Sequence, residues 1–195
     1  VVLRPPGRDA FLVWKGSEWI IFEDLEITGG SRAGILVSSS KHILIRRCVM
    51  RGNRVWQVQT TLSEHVTVED CDLSGSQKEH GIYFSTTDYP IARRNRIHHN
   101  AGCGVHMNGD LNEGGDGMVT GARIEANIIH DCGAAGGAGI NMDGVEKSLI
   151  VNNLLYDNRA GGITNFQCNG ARVGSGNRIL HNLSLIHISE PTRLL

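Results

Sequence analysis

Apolar and polar positions alternate in short runs along this chain, and the runs return at a nearly constant interval. Ile35, Val58, Ile82, Val105, Ile140 and Ile163 each open such a run, as in Ile82-Tyr83-Phe84-Ser85 and Val105-His106-Met107-Asn108. Ten to thirteen residues before each of them lies a second recurring position, and this column reads Leu25, Cys48, Cys71, Asn95, Asn127, Asn153 and Asn177 at intervals of 23 to 32 residues. A period-2 alternation over four residues is the signature of a short strand with one buried face. A unit of about 24 residues built from such strands cannot bury its apolar face alone and must stack on its neighbours. The pattern predicts an all-β, right-handed parallel β-helix of about seven rungs over residues 19 to 182.

Strand parity turns the columns into directions. If Ile82 and Phe84 face inward, Tyr83 and Ser85 face outward, and the same holds on every rung. Two outward rows result, one of Leu36, Gln59, Tyr83, His106, Asn141 and Thr164, the other of Ser38, Thr61, Ser85, Asn108, Asp143 and Phe166. Their middle rungs form a long polar groove carrying a phenol, an imidazole, amides and a carboxylate. Trp56, Met107 and Met142 are predicted inward. Glycine precedes the second column in Ala33-Gly34-Ile35, His80-Gly81-Ile82 and Gly161-Gly162-Ile163, where the absence of a side chain permits sharp turns and close stacking of rungs.

The stacked asparagines are predicted to be structural, their amides bonding to one another and to the turn backbone. His98, His130 and Tyr156 form a further column. A stacked turn ladder accounts for them without a metal, because no acidic or cysteine partner follows their spacing. His42 and His65 are read the same way. Cys48 and Cys71 lie one rung apart in one column, close enough for a disulfide, but a column that also holds Leu25 favours free thiols in the core.

Composition adds two exclusions. A formal net charge of −1 over 195 residues gives no basic footprint for nucleic acid or anionic lipid, and no apolar run approaches a membrane-spanning length.

The phrases Glu79-His80-Gly81-Ile82-Tyr83, Arg94-Asn95-Arg96-Ile97-His98-His99-Asn100, Ala126-Asn127-Ile128-Ile129-His130-Asp131 and Val151-Asn152-Asn153-Leu154-Leu155-Tyr156 resemble the parallel β-helix repeats of the pectate-lyase-like superfamily. The resemblance implies a polysaccharide or oligosaccharide partner, an enzyme of the lyase, epimerase or glycoside hydrolase type, and a secreted or extracytoplasmic bacterial location. The superfamily also holds non-catalytic surface proteins, so a glycan-binding module stays open beside the enzyme. The Asp-Pro-His-Glu run of mannuronan epimerases and the paired aspartates of polygalacturonases are not found.

The period breaks once, between Asn95 and Asn127, where about eight extra residues fall mostly within 108–117, and solenoids place such insertions on the binding face. This loop is acidic. Asp110 and Asp116, with Asp143 a rung on, offer oxygen ligands for calcium (Ca2+). For a lyase or epimerase on uronic acids, the expected roles are His106 as base, Tyr83 as acid, and the cation, His80 or Lys78 as the group that neutralises the sugar carboxylate. Asn108, Asn141, Gln59 and Lys78 would contact substrate. A hydrolase would instead pair Asp143 with Asp110 or Asp116.

The ends read differently from the middle. The opening Val1-Val2-Leu3 looks like the inside of an earlier coil, and Ser184 to Arg193 resembles the translation of a sequencing-library adapter. The expected division is one β-helix domain over 1–183, truncated at both ends, followed by a non-native tail over 184–195.

Overall fold

The computed structural model describes residues 2, 3 and 8–185. The chain coils through three parallel sheets in turn. One, the groove sheet, stacks Asp9–Trp14, Ala33–Ser38, Trp56–Thr61, Ile82–Ser85, Val105–Asn108, Ile140–Asp143 and Ile163–Phe166 in that order. A second sheet also has seven strands, from Glu18–Glu23 to Arg178–Leu180, and a third has eight, from Val2–Leu3 to Leu183–Leu185. Among the described residues the one helical segment is a 3-10 turn at Leu111–Glu113. This is a parallel β-solenoid of about seven rungs.

The register is the one the apolar column dictates. Ile35, Val58, Ile82, Val105, Ile140 and Ile163 are successive partners, as are Tyr83, His106 and Asn141 beside them. The first five of that column are buried and the last, on the final rung of the sheet, is partly open. A slip by one residue would turn this whole apolar row to solvent, so burial fixes the pairing.

The amide ladder is structural, with one member changed. Asn127 Oδ1 accepts from the Asn95 N–H at 3.0 Å and from its Nδ2 at 3.0 Å, while Asn127 Nδ2 donates to Asn153 Oδ1 at 2.9 Å. The next rung is supplied by Asn182, whose Oδ1 accepts from the Asn153 N–H at 2.9 Å. Asn177 instead caps the Ser148 N–H at 3.1 Å, in a different corner. The loop between Phe166 and Arg178 lengthens this coil, so counting 24 residues from Asn153 stops one corner early.

Each rung turns through left-handed corners. Asp24, Arg47, Asp70, Arg94, Ala126, Asn152 and His181 share φ between 49° and 57° at one of them. Glycine at 81, 104 and 139 answers a different need, because a Cβ on Gly81 would lie 2.6 Å from Ile97 Cγ2 and 2.8 Å from the Gly104 carbonyl. These glycines let rungs approach; they do not supply a positive φ.

All five cysteines are free, four of them buried and Cys168 exposed. The boundary expected at 183/184 falls inside a strand, since Ser184 and Leu185 pair with Leu155 and Tyr156. The rest of the expected tail, 186–195, lies outside the described residues, as does Val1. No described helix is long and apolar enough to cross a membrane.

Candidate active site

The outer face of the groove sheet gathers aromatic and polar side chains on three consecutive rungs. Trp56 stacks on Tyr83 with centroids 5.9 Å apart and planes 12° from parallel. It does not face inward as parity predicted. Gln57 is buried and its side chain turns inside to accept from Asn53 Nδ2 at 2.6 Å, so the alternation fails at this end of the strand and Trp56 lies beside Tyr83. His80 lies 5.3 Å from the Tyr83 ring and 4.6 Å from the His106 ring. Asn108 Nδ2 donates to the Tyr83 hydroxyl at 2.9 Å.

The histidine pair has a defined proton order. The Cys103 backbone N–H donates to His80 Nδ1 at 2.9 Å, so that nitrogen must be bare and a neutral His80 carries its proton on Nε2. That proton faces His106 Nδ1 at 3.0 Å. His106 therefore accepts at Nδ1 and keeps its own proton on Nε2. Burial lowers the pKa of His80 to about 3, with the neighbouring His106 adding to it, and lowers that of His106 to about 4 against an opposing pull from Asp143. Both rings are neutral near pH 7, and His106 presents a donor where the sequence reading asked for a base. Burial raises the pKa of the Tyr83 phenol, against the Asn108 bond, so it too keeps its proton.

Polar atoms on this face stand shielded and unpaired. Trp56 Nε1, Gln59 Oε1, Ser85 Oγ, His106 Nε2 and Asn108 Oδ1 have no hydrogen-bond partner among the described residues. Natural folds seldom leave buried polar atoms in this state, and a cluster of them calls for an explanation. Asn141 is engaged, accepting from the Ala138 N–H at 3.2 Å and from Thr164 Oγ1 at 2.5 Å. Lys78 and Glu79 lie in the exposed turn before His80, and Glu79 Oε2 comes within 3.4 Å of His80 Nε2. The sequence reading passed over Glu79, although its position next to His80 was the available signal.

The acidic set does not assemble. Asp143, 1% exposed, accepts from the backbone N–H groups of Cys168 at 2.8 Å, Asn169 at 2.9 Å and Gly170 at 3.3 Å, and so anchors the loop after the next rung. Asp110 caps the 3-10 turn by accepting from the Asn112 N–H at 2.8 Å. Asp116 accepts from the Met118 N–H at 3.0 Å. The described triads with ligand atoms inside 4.8 Å of one another are His80/Cys103/His106 and His99/His130/Asp131, so the expected calcium ligands are not brought together. Hydrolase chemistry through Asp143 meets the same obstacle, because that carboxylate is buried under its own hydrogen bonds.

Two longer loops flank the groove, the insertion within 108–117 and a second over 132–137, in the long return from Asn127 to Ile140. The loop after Asn108 lies across the Thr61 and Thr86 corner, where Glu113 Oε2 accepts from Thr61 Oγ1 at 3.3 Å and the Asp110 carbonyl accepts from Thr86 Oγ1 at 3.1 Å. The second loop folds over the opposite corner, with Gly133 N–H donating to the Asn100 carbonyl at 3.0 Å and Ala135 N–H to the Ala101 carbonyl at 2.7 Å.

The profile of the family described as right handed beta helix region matches residues 7–114. No curated protein matches the sequence at a significant level. Among solved structures, a double mutant of the periplasmic alginate epimerase AlgG superposes with a TM-score of 0.66 at 19% identity, covering 89% of this chain and 40% of that one. An alginate lyase from Paenibacillus sp. str. FPU-7 gives 0.63 at 18% identity, covering 81% and 56%. Pectate lyase Pel9A gives 0.53 at 12% identity, covering 100% and 48%. The chain thus spans between two fifths and three fifths of each of these neighbours.

Proposed function

This chain belongs to the right-handed β-helix family, and we propose that it is carbohydrate-active, with lyase or epimerase chemistry on glycans that contain uronic acids. The observation that carries the proposal is the unpaired set on one face: Trp56 Nε1, Gln59 Oε1, His106 Nε2 and Asn108 Oδ1 around the Trp56–Tyr83 stack. A sugar chain supplies both what the stack prefers, a flat C–H face, and what the unpaired atoms lack, a row of hydroxyls and a carboxylate.

In this reading His106 Nε2–H donates to the sugar carboxylate and stabilises the charge that develops when the adjacent carbon loses its proton. Glu79 at the rim takes that proton. The electron pair then forms the carbon–carbon double bond while the glycosidic carbon–oxygen bond breaks, and the neutral Tyr83 phenol returns a proton to the departing oxygen. In epimerisation Tyr83 would instead protonate the opposite face of the same carbon. Gln59, Asn108 and Asn141 orient the sugar ring. Such a substrate and the periplasmic location of one structural neighbour both support an extracytoplasmic location.

Calorimetry with oligosaccharides prepared from alginate, pectate and a neutral glucan tests the binding half. The account expects the two uronate ligands to bind and the glucan not to, with Trp56→Ala weakening binding about tenfold or more through loss of the stacking surface. Equal affinity for the glucan would remove the carboxylate-directed role of His106. Undiminished binding in Trp56→Ala would move the glycan off this face.

A further inference from the structure

A second cluster of titratable side chains lies away from the groove, on the outer side of the third sheet. His98, His130 and Tyr156 stack there with centroids 5.0 and 4.7 Å apart and planes 2° and 3° from parallel, as the turn ladder required. The next corner brings in residues that sequence spacing alone did not pair with them. Gly52 and Gly75 hold this left-handed corner on earlier rungs, and His99 and Asp131 take it over with φ of 54° and 52°. A non-glycine residue there projects beside the ladder, and His99, His130 and Asp131 place their ligand atoms within 4.8 Å of one another.

We propose that His99, His130 and Asp131 form a binding site for a late first-row divalent metal ion such as zinc. The proton order supports it. Asp72 Oδ1 lies 3.2 Å from His98 Nε2, so that nitrogen carries the proton and His98 Nδ1 is bare. His98 Nδ1 accepts from His99 Nδ1–H at 2.8 Å, which leaves His99 Nε2 with a free lone pair 3.9 Å from Asp131 Oδ2. His130 Nδ1 lies 2.7 Å from the same oxygen. Ligand atoms of a tetrahedral zinc site with bonds of about 2.0–2.1 Å stand about 3.3 Å apart, between those two separations, and the exposed His99 side chain is free to adjust. The chain Asp72–His98–His99 is the carboxylate-to-imidazole support that metal-bound histidines use.

On binding, the His130 proton moves from Nδ1 to Nε2, an atom that is buried and has no partner among the described residues. Two imidazoles and one carboxylate leave a coordination position open, and this donor set suits zinc or its first-row neighbours better than calcium. The triad His80/Cys103/His106 behaves oppositely. There the Cys103 N–H occupies His80 Nδ1 and forces the proton onto the nitrogen that would have to bind the metal.

Zinc titration of the whole chain, followed by calorimetry and by melting temperature, tests the proposal, with cobalt as a spectroscopic substitute. The expected results are one zinc ion per chain, a rise in melting temperature with zinc concentration, and visible absorption of low-symmetry cobalt. His99→Gly restores the residue that earlier rungs use at this corner, so it should fold as well as the parent and lose zinc. Asp72→Asn should weaken zinc about tenfold to a hundredfold. Absence of zinc binding, unchanged affinity in His99→Gly, or loss of zinc in Cys103→Ser with retention in His99→Gly would each overturn it.

Discussion

Replacing Asn127 by alanine should remove a large share of the stability of this solenoid. The side chain is 1% exposed. Its Oδ1 holds the Asn95 N–H and Nδ2, both at 3.0 Å, and its Nδ2 holds the Ala92 carbonyl and Asn153 Oδ1, both at 2.9 Å. Not all of these partners are abandoned. Asn95 Nδ2 keeps the Val68 carbonyl at 2.9 Å, and Asn153 Oδ1 keeps the Asn127 N–H at 3.0 Å. The Asn95 N–H, however, loses the bond made to it across the rung, at about 1–3 kcal/mol for a buried unmet donor, and each of the other three bonds is worth about 0.5–1 kcal/mol. A loss of about 3–5 kcal/mol, central in the range of about 2.5–6 that these terms span, is a fifth or more of the stability of a typical domain. Urea unfolding, with the slope checked for constancy, should show the midpoint falling by about 1.5–2.5 M for a slope near 2 kcal/mol/M. Asn127→Cys should recover part of the loss, because Cys71 Sγ already accepts the Cys48 N–H at 3.4 Å in the same column. A loss below about 1 kcal/mol for Asn127→Ala, or full stability for Asn127→Leu, would refute the ladder as a source of stability.

Two further outcomes follow from the site. His80 and His106 titrate below their ordinary value near 6.5, at about 3 and about 4, so below pH 6.5 the unfolded chain binds protons that the folded chain refuses. Stability should therefore fall as pH drops from about 6.5 towards 4, by up to about 3 kcal/mol from His106 alone; chemical denaturation across this range checks it, and an unchanged slope in a His80→Gln/His106→Gln variant would disprove the attribution. Because Asp110 and Asp116 are held by backbone N–H groups within their own loop, and Asp143 by those of the loop after the next rung, the calcium-selective chelator EGTA should leave the melting temperature unmoved, and a drop that Asp116→Ala abolishes would restore the calcium reading.

What the sequence showed and hid divides along physical lines. Inward columns and outward rows were legible because burial on one face of a strand imposes a period of two on residue type, and Ile82, Val105 and Ile140 pair as that period demands. Corners were not. Trp56 leaves its parity beside the inward-turned Gln57, and His99 and Asp131 project from left-handed turns, where alternation has no meaning. A second inner ladder, in which Asn100 Oδ1 caps the Ser76 N–H at 3.0 Å and Asn158 Oδ1 caps the Cys132 N–H at 3.1 Å, went unread because serine and cysteine interrupt it. In the candidate site, the strand register delivered Tyr83, His106 and Asn108 to one place. The role of Asp143 could not be read, since it depends on a loop 25 residues later folding back onto the carboxylate. The proton order of His80 and His106 also escaped, because it is set by a backbone N–H on the neighbouring rung.

The most direct test of the proposed chemistry is turnover of polyuronates in deuterated water, with products read by nuclear magnetic resonance and ultraviolet absorbance. Both elimination and epimerisation begin by removing the carbon-bound proton beside the carboxylate. The account predicts either an unsaturated product or deuterium at that carbon, lost in Tyr83→Phe and His106→Ala while the strand content of both variants is unchanged. Hydrolysis products without deuterium or unsaturation, or wild-type activity in Tyr83→Phe, would contradict it.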